Sequence, residues 1–258
     1  MRIALCVEYD GSGYCGWQFQ PRSPSVQETL EAALSKIVDQ PVRVVAAGRT
    51  DTGVHALGQV VHFDTDRPRP LRAWLRGANT KLPADVRIVA AQQVAEDFHA
   101  RYSAFARHYR YLLLNRSQAP AIGHGRASWE PRPLDVQAMQ AAAQQLLGEH
   151  DFSAFRAASC QSHSSWRTLS RLDVTRHGAW LVVDVVANAF LHHMVRNLVG
   201  TLIDIGIGDR PPAWAGQLLH GRDRTRAGAT APAAGLYLAA VHYPPRFGLT
   251  PPPLTLLL

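Results

Sequence analysis

Val42-Arg43-Val44-Val45-Ala46-Ala47-Gly48-Arg49-Thr50-Asp51-Thr52-Gly53-Val54-His55-Ala56-Leu57-Gly58-Gln59-Val60-Val61-His62-Phe63 reads as two strand-like runs, about residues 42–47 and 58–64, around a tight polar loop. Outward from this pair the pattern is regular. Ile3 to Tyr9 alternates apolar and smaller residues, which predicts a strand. Ser25, with Glu28 three residues on, forms a capping box, and Val26, Leu30, Leu34, Ile37 and Val38 make the apolar stripe of the helix that follows. Pro70 opens a helix through Trp74 and Leu75, and Val86 to Val94 is a further strand.

The second half repeats the order. Ala106 to Leu114 is a strand and Leu134 to Leu147 a helix. Thr168 to Arg176 and Trp180 to Ala187 pair across the turn residues His177-Gly178. Phe190 to about Ile205 is a largely apolar, buried helix. Pro212 to Leu219 is an inserted helix, and Leu236 to Tyr243 the last strand. Strand–helix–strand twice over is a split βαβ unit. The expected fold is therefore α/β (α+β): two tandem ferredoxin-like, RNP-like halves, with a central mainly antiparallel sheet and an active-site cleft between them. The halves are residues 1–104, carrying the loop 47–56, and 105–258, ending in an extended tail from Pro251.

Composition narrows the class. No apolar run in the 258 residues approaches the ~20 needed to cross a bilayer, and Met1-Arg2-Ile3-Ala4-Leu5 is too short for a signal peptide. Cys6, Cys15 and Cys160 are odd in number and widely spaced, so they read as free thiols in a reducing cytoplasm. The net charge is +7, and of 27 cationic side chains only Lys36 and Lys81 are lysine. That balance suits a polyanionic partner such as RNA. Among the 12 histidines, His192 and His193 are adjacent and so do not face one point on a helix. His55 and His62 have no cysteine or carboxylate at ligand spacing, so no metal site is expected.

The loop concentrates the chemistry. Asp51 is its one carboxylate, flanked by Gly48 and Gly53, with Arg49 two residues before it. A lone Asp beside an Arg on a strand-connecting loop is a candidate nucleophile, and a turn Asp capping local amides is the plain alternative. Arg49 can face the same side as Asp51 on extended backbone. In Arg107-His108-Tyr109-Arg110-Tyr111, alternation puts Tyr109 and Tyr111 on one face and His108 and Arg110 on the other. Arg196 stands on an otherwise apolar helix, where a buried arginine needs a partner.

Gly48-Arg49-Thr50-Asp51-Thr52-Gly53-Val54-His55-Ala56 resembles the catalytic loop of the tRNA pseudouridine synthases of the TruA type. Other matching pieces keep that family's order: Glu8-Tyr9-Asp10-Gly11, Gly16-Trp17-Gln18, Ser25-Val26-Gln27, Asp97-Phe98-His99-Ala100-Arg101, Tyr109-Arg110-Tyr111, Asp151-Phe152-Ser153-Ala154-Phe155, the run Asn188 to Asn197, and Gly235-Leu236-Tyr237-Leu238. The resemblance spans about residues 2–245. It implies an isomerase that converts uridine to pseudouridine in the tRNA anticodon stem-loop, at roughly positions 38 to 40. Asp51 would attack the uridine at C1′ or at C6, with no cofactor and no metal. Tyr109 matches the substrate-contacting tyrosine. Arg49 would bind the RNA backbone or fill the gap left by the flipped base, and Arg196 would pair with Asp51, with Asp184 and Asp204 as local alternatives. The resemblance also implies a cytoplasmic homodimer that grips one tRNA with both subunits.

Overall fold

The computed structural model describes residues 1–253. The chain divides into two compact units, Met1–Arg107 with Tyr237–Leu258, and His108–Leu236. Both are mixed α/β with mostly antiparallel pairing, as the sequence pattern predicts.

In the first unit the strands are β1 (Arg2–Tyr9), β2 (Val45–Ala46), β3 (His55–Asp64) and β4 (Val86–Val94). Pairing runs β4-β1-β3, with β2 on the far side of β3, all antiparallel. Helix α1 (Val26–Val38) begins where the capping box placed it: Ser25 Oγ accepts the Glu28 amide at 3.3 Å. The second helical segment contains a π-helical stretch, Ala73–Gly77. Ile3, Leu5, Val7 and Tyr9 of β1 are buried with Leu30 and Leu34 of α1, and Phe63 meets Trp74 edge-on at 5.1 Å. Each such side chain contributes about 1.5–3 kcal/mol.

Two elements depart from expectation. The run 42–47 supplies only a two-residue strand, because α1 takes its amides: Val42 N–H donates to Ser35 Oγ at 2.9 Å and Val44 N–H to Glu31 Oε1 at 3.0 Å. Strand β3 starts at His55 rather than 58, because its first residues pair with a strand remote in sequence. That strand, β10 (Leu236–His242), runs parallel to β3 with Tyr237 opposite His55. The last strand, read from sequence with the second half, thus lies against the first unit's β3, and its Tyr237 ring stacks on His55 at 4.6 Å.

The second unit holds β5 (Ala106–Asn115), β6 (Ser128–Glu130), β7 (Gly148–Asp151), β8 (Trp166–His177) and β9 (Trp180–Ala187). The short β6 and β7 are not anticipated by periodicity. Strands β7, β8 and β9 are antiparallel neighbours, and β6 runs parallel to β5. Helices α2 (Val136–Gln144), α3 (Met194–Gly206) and α4 (Trp214–Gly221) complete the unit. Helix α3 begins four residues later than expected, because His193 at its N-cap is left-handed (φ 60°). Pro251–Pro253 carry no regular structure, and the rest of the expected extended tail, residues 254–258, lies outside the described residues.

Candidate active site

Asp51 sits half-buried on the connector between β2 and β3, and several neighbouring groups of that connector are hydrogen-bonded. Trp17 N–H donates to Thr50 O at 3.0 Å, and Tyr9 Oη shares a buried 2.8 Å hydrogen bond with Thr50 Oγ1. Val54 N–H closes a turn onto Asp51 O at 3.1 Å. At the loop's entry Gln59 Nε2 donates to Gly48 O at 2.7 Å, and Ala47 N–H to Val60 O at 2.8 Å. At its exit His55 Nδ1 accepts the Gly11 amide at 3.1 Å.

The glycines before α1 are the mould for this loop. Gly16 has φ +91°, and a Cβ there would stand 2.6 Å from Thr50 O and 3.0 Å from the Asp51 carbonyl carbon. At Gly11 a Cβ would stand 2.0 Å from Val54 O. Only glycine permits both approaches. The segment carrying them is fixed in turn by Asp85, whose backbone O accepts Asp10 N–H at 2.9 Å and whose carboxylate accepts Tyr14 Oη at 2.9 Å. Burial and then that hydrogen bond push the Tyr14 phenol up to about 12, so it stays a neutral donor. On the entry side Arg43 and Val44 are both tied to the buried Glu31 of α1. Residues that look like separate motifs in sequence, Tyr9 to Gly11, Gly16-Trp17 and Ser25 to Gln27, therefore brace one loop.

Arg49 is exposed on the same loop, separated from Asp51 by the buried Thr50. The other two expected site residues lie in the second unit. Tyr109, on β5, is half-buried with its ring edge-on to Phe190 at 5.0 Å. Tyr111, two residues on, is a core residue whose phenol bonds Ser128 and donates to Pro232 O at 2.9 Å. Burial raises the Tyr111 phenol, while the Ser128 bond and the nearby Arg196 cation pull it back.

Arg196 is half-buried on α3. Its Nε donates to Ala231 O at 2.7 Å, and its own carbonyl accepts Ala231 N–H at 3.1 Å. The segment is pressed so close that a Cβ on Gly200 would stand 1.7 Å from Ala229 O. Of the two local partners suggested by sequence, Asp204 and Asp184, the second is occupied elsewhere. His108 Nε2 meets it at 2.7 Å, and Arg110 grips it with Nε and Nη2 at 3.0 Å each. Burial would raise the Asp184 carboxyl, but these hydrogen bonds win and hold it at about 2. His108 and Arg110 thus lock the face of β5 opposite Tyr109. Arg110 is spent on this pair rather than turned to solvent, and Arg224 on Asn197 and Thr230. Arg22, Arg72 and Arg76 remain exposed.

Sequence reasoning misses Arg107. Its Nη1 donates to Ala104 O at 3.1 Å and its Nη2 to Ala47 O at 3.2 Å and Arg101 O at 2.6 Å, joining the turn after β4 to the start of the Asp51 loop. Arg107 is one more arginine in an arginine-rich chain, and nothing local marks it out.

The family described as tRNA pseudouridine synthase matches residues 5–103 and 142–244, well over half of the chain. The chain belongs to this family. Among curated relatives, tRNA pseudouridine synthase A of Hydrogenovibrio crunogenus is 55% identical over 247 residues, covering 96% of this chain and 94% of that protein. The Pectobacterium atrosepticum enzyme of the same name is 55% identical over 253 residues, covering 98% and 89%. That of Vibrio cholerae is 54% identical over 254 residues, covering 98% and 96%. As a tRNA pseudouridine synthase the chain is an isomerase acting on tRNA. Among the described residues no helix is long and apolar enough to cross a membrane.

Proposed function

We propose that this tRNA pseudouridine synthase isomerises uridines of the anticodon stem-loop, at roughly positions 38 to 40, with Asp51 as the nucleophile. The observation that carries the reading is the loop itself. One carboxylate stands on a short connector whose Thr50 hydroxyl, Thr50 carbonyl and own carbonyl are bonded by Tyr9, Trp17 and Val54, against two glycines that admit no Cβ. A nucleophile kept in one geometry avoids the entropy of finding it, which is worth several kcal/mol of barrier.

The target uridine leaves the stacked RNA and enters the site. Attack by the Asp51 carboxylate, at C1′ or at C6, labilises the glycosidic bond. The uracil turns, C5 bonds to C1′, and as Asp51 is released C5 loses its proton while N1, freed from C1′, gains one, which leaves an isomer of the starting nucleoside. Atoms balance without oxidant, cofactor or metal. Tyr109, edge-on to Phe190, offers a ring face to the extruded base. Arg196, anchored through Nε, supports the ionised carboxylate, and Arg49 contacts the RNA backbone or the gap left by the base. The enzyme works in the cytoplasm as a homodimer on one tRNA.

The test is direct. Pure protein is incubated with unmodified tRNA, without added metal or cofactor, and pseudouridines are mapped. Formation confined to the anticodon stem-loop supports the reading. Modification elsewhere in the tRNA contradicts the proposed target.

A further inference from the structure

The turn after β4 carries a surface feature that the isomerisation does not use. Tyr102 is 75% exposed and Phe105 59% exposed, in a chain that buries most of its aromatic rings. Tyrosine, with an apolar ring and a polar tip, is enriched at interfaces where one end is wet.

The turn beneath Tyr102 is rigid. Phe98 is fully buried, edge-on to Phe247 at 5.1 Å and 5.0 Å from the Tyr243 ring. Tyr243 Oη donates to Ala100 O at 2.7 Å, and Ala100 N–H donates to His62 Nδ1 at 3.1 Å. His99 N–H donates to Ser103 Oγ at 2.9 Å. The Nδ1 of His99 accepts two amides, from Arg101 and Tyr102, each at 3.1 Å. An imidazole nitrogen that accepts is unprotonated, so His99 is a neutral, flat ring in a fixed rotamer. Burial and the Arg2 cation favour the same neutral form. Tyr102 stacks on it at 4.3 Å with 29° between the planes, and the Arg101 guanidinium lies 5.5 Å from the Tyr102 centroid. The result is a short aromatic stack with the Arg101 cation over the Tyr102 ring, preorganised before any ligand arrives.

Arg107 then fixes where the stack stands. The same Nη2 that takes Arg101 O, next to Tyr102, also takes Ala47 O, four residues before Asp51. The exposed ring and the Asp51 loop are therefore tied through one guanidinium.

We propose that Tyr102, backed by His99 and flanked by Arg101, is a stacking platform for an unpaired nucleobase of the substrate RNA other than the uridine being isomerised. This rests on tRNA being the substrate, not on Asp51 being the nucleophile. Every base has a π-face, so stacking tolerates sequence, and the Arg101 cation supplies the complementary phosphate contact. Such a subsite would let one enzyme accept uridines in different loop sequences. A ring held in place beforehand loses little entropy when the base lands on it.

The experiment measures equilibrium binding of unmodified tRNA, read without turnover, so the outcome is independent of Asp51. Tyr102→Phe is expected to bind like the parent. Tyr102→Ala and Tyr102→Leu are expected to weaken Kd about tenfold, the range of one base–aromatic stack, with unchanged melting temperature. A blunt RNA duplex, whose bases have no free face, is expected to show no Tyr102 effect. Arg101→Ala is expected to reduce the salt dependence of tRNA binding by about one phosphate contact. The proposal is overturned if Tyr102→Ala binds tRNA as tightly as the parent, if Tyr102→Leu matches Tyr102→Phe, or if duplex and tRNA lose affinity equally.

Discussion

Gly16 shows what a single residue decides here. Its left-handed φ and its 2.6 Å approach to Thr50 O leave no room for a methyl group. Gly16→Ala should therefore push the loop that carries Asp51 out of position. The expected result is a loss of about 1–3 kcal/mol in stability and about a 100-fold fall in kcat, with tRNA affinity nearly intact. Urea unfolding and single-turnover rates check the two parts, and a normal rate would show that the loop does not depend on this mould. At this scale the sequence was informative about Asp51, the one carboxylate between two glycines. It was silent about the partner of Arg110, since Asp184 lies 74 residues on. Arg107 was equally hidden, because its partners are carbonyls, which no side-chain pattern advertises.

Among elements, α1 and β9 each bury a carboxylate that organises its neighbours. Glu31 on α1 accepts Gln27, Arg43 and the Val44 amide, and so cuts β2 to two residues. Glu31→Ala leaves that amide unpaired and is expected to cost about 1–3 kcal/mol, seen as a lower Tm. Asp184 on β9 offers a pH test. Its folded pKa, about 2, lies below the ~3.9 of an unfolded aspartate. Its ionised form stabilises the fold above about pH 4, and that contribution, on the order of 2 kcal/mol, is lost as pH falls through about 2. Wild type should lose stability more steeply than Asp184→Asn between those limits; equal slopes would remove Asp184 from the acid response. Helices and long strands were legible because their apolar periods are strong. Strand β3's early start was not, since it depends on a partner, β10, nearly two hundred residues away. Strands β6 and β7, three and four residues long, are too short to show a period.

For the molecule as a whole, the net charge of +7, almost all of it arginine, sets how tRNA is held. Affinity should fall steeply with salt. Arg22→Ala, Arg72→Ala or Arg76→Ala should each lower the salt slope by about one for every phosphate that the removed guanidinium neutralised. A salt-independent Kd would contradict an arginine-held polyanion. The ordered motifs spread over both halves made the family legible before any coordinates. Their common purpose became visible only in three dimensions, where three of them brace the backbone around one carboxylate. The central claim is that this carboxylate performs the isomerisation. The most direct measurement is single-turnover pseudouridine formation by Asp51→Asn on unmodified tRNA, with Kd measured alongside. The account predicts a rate at least about a thousandfold below wild type with tRNA binding retained. A near-normal rate in that variant would contradict it.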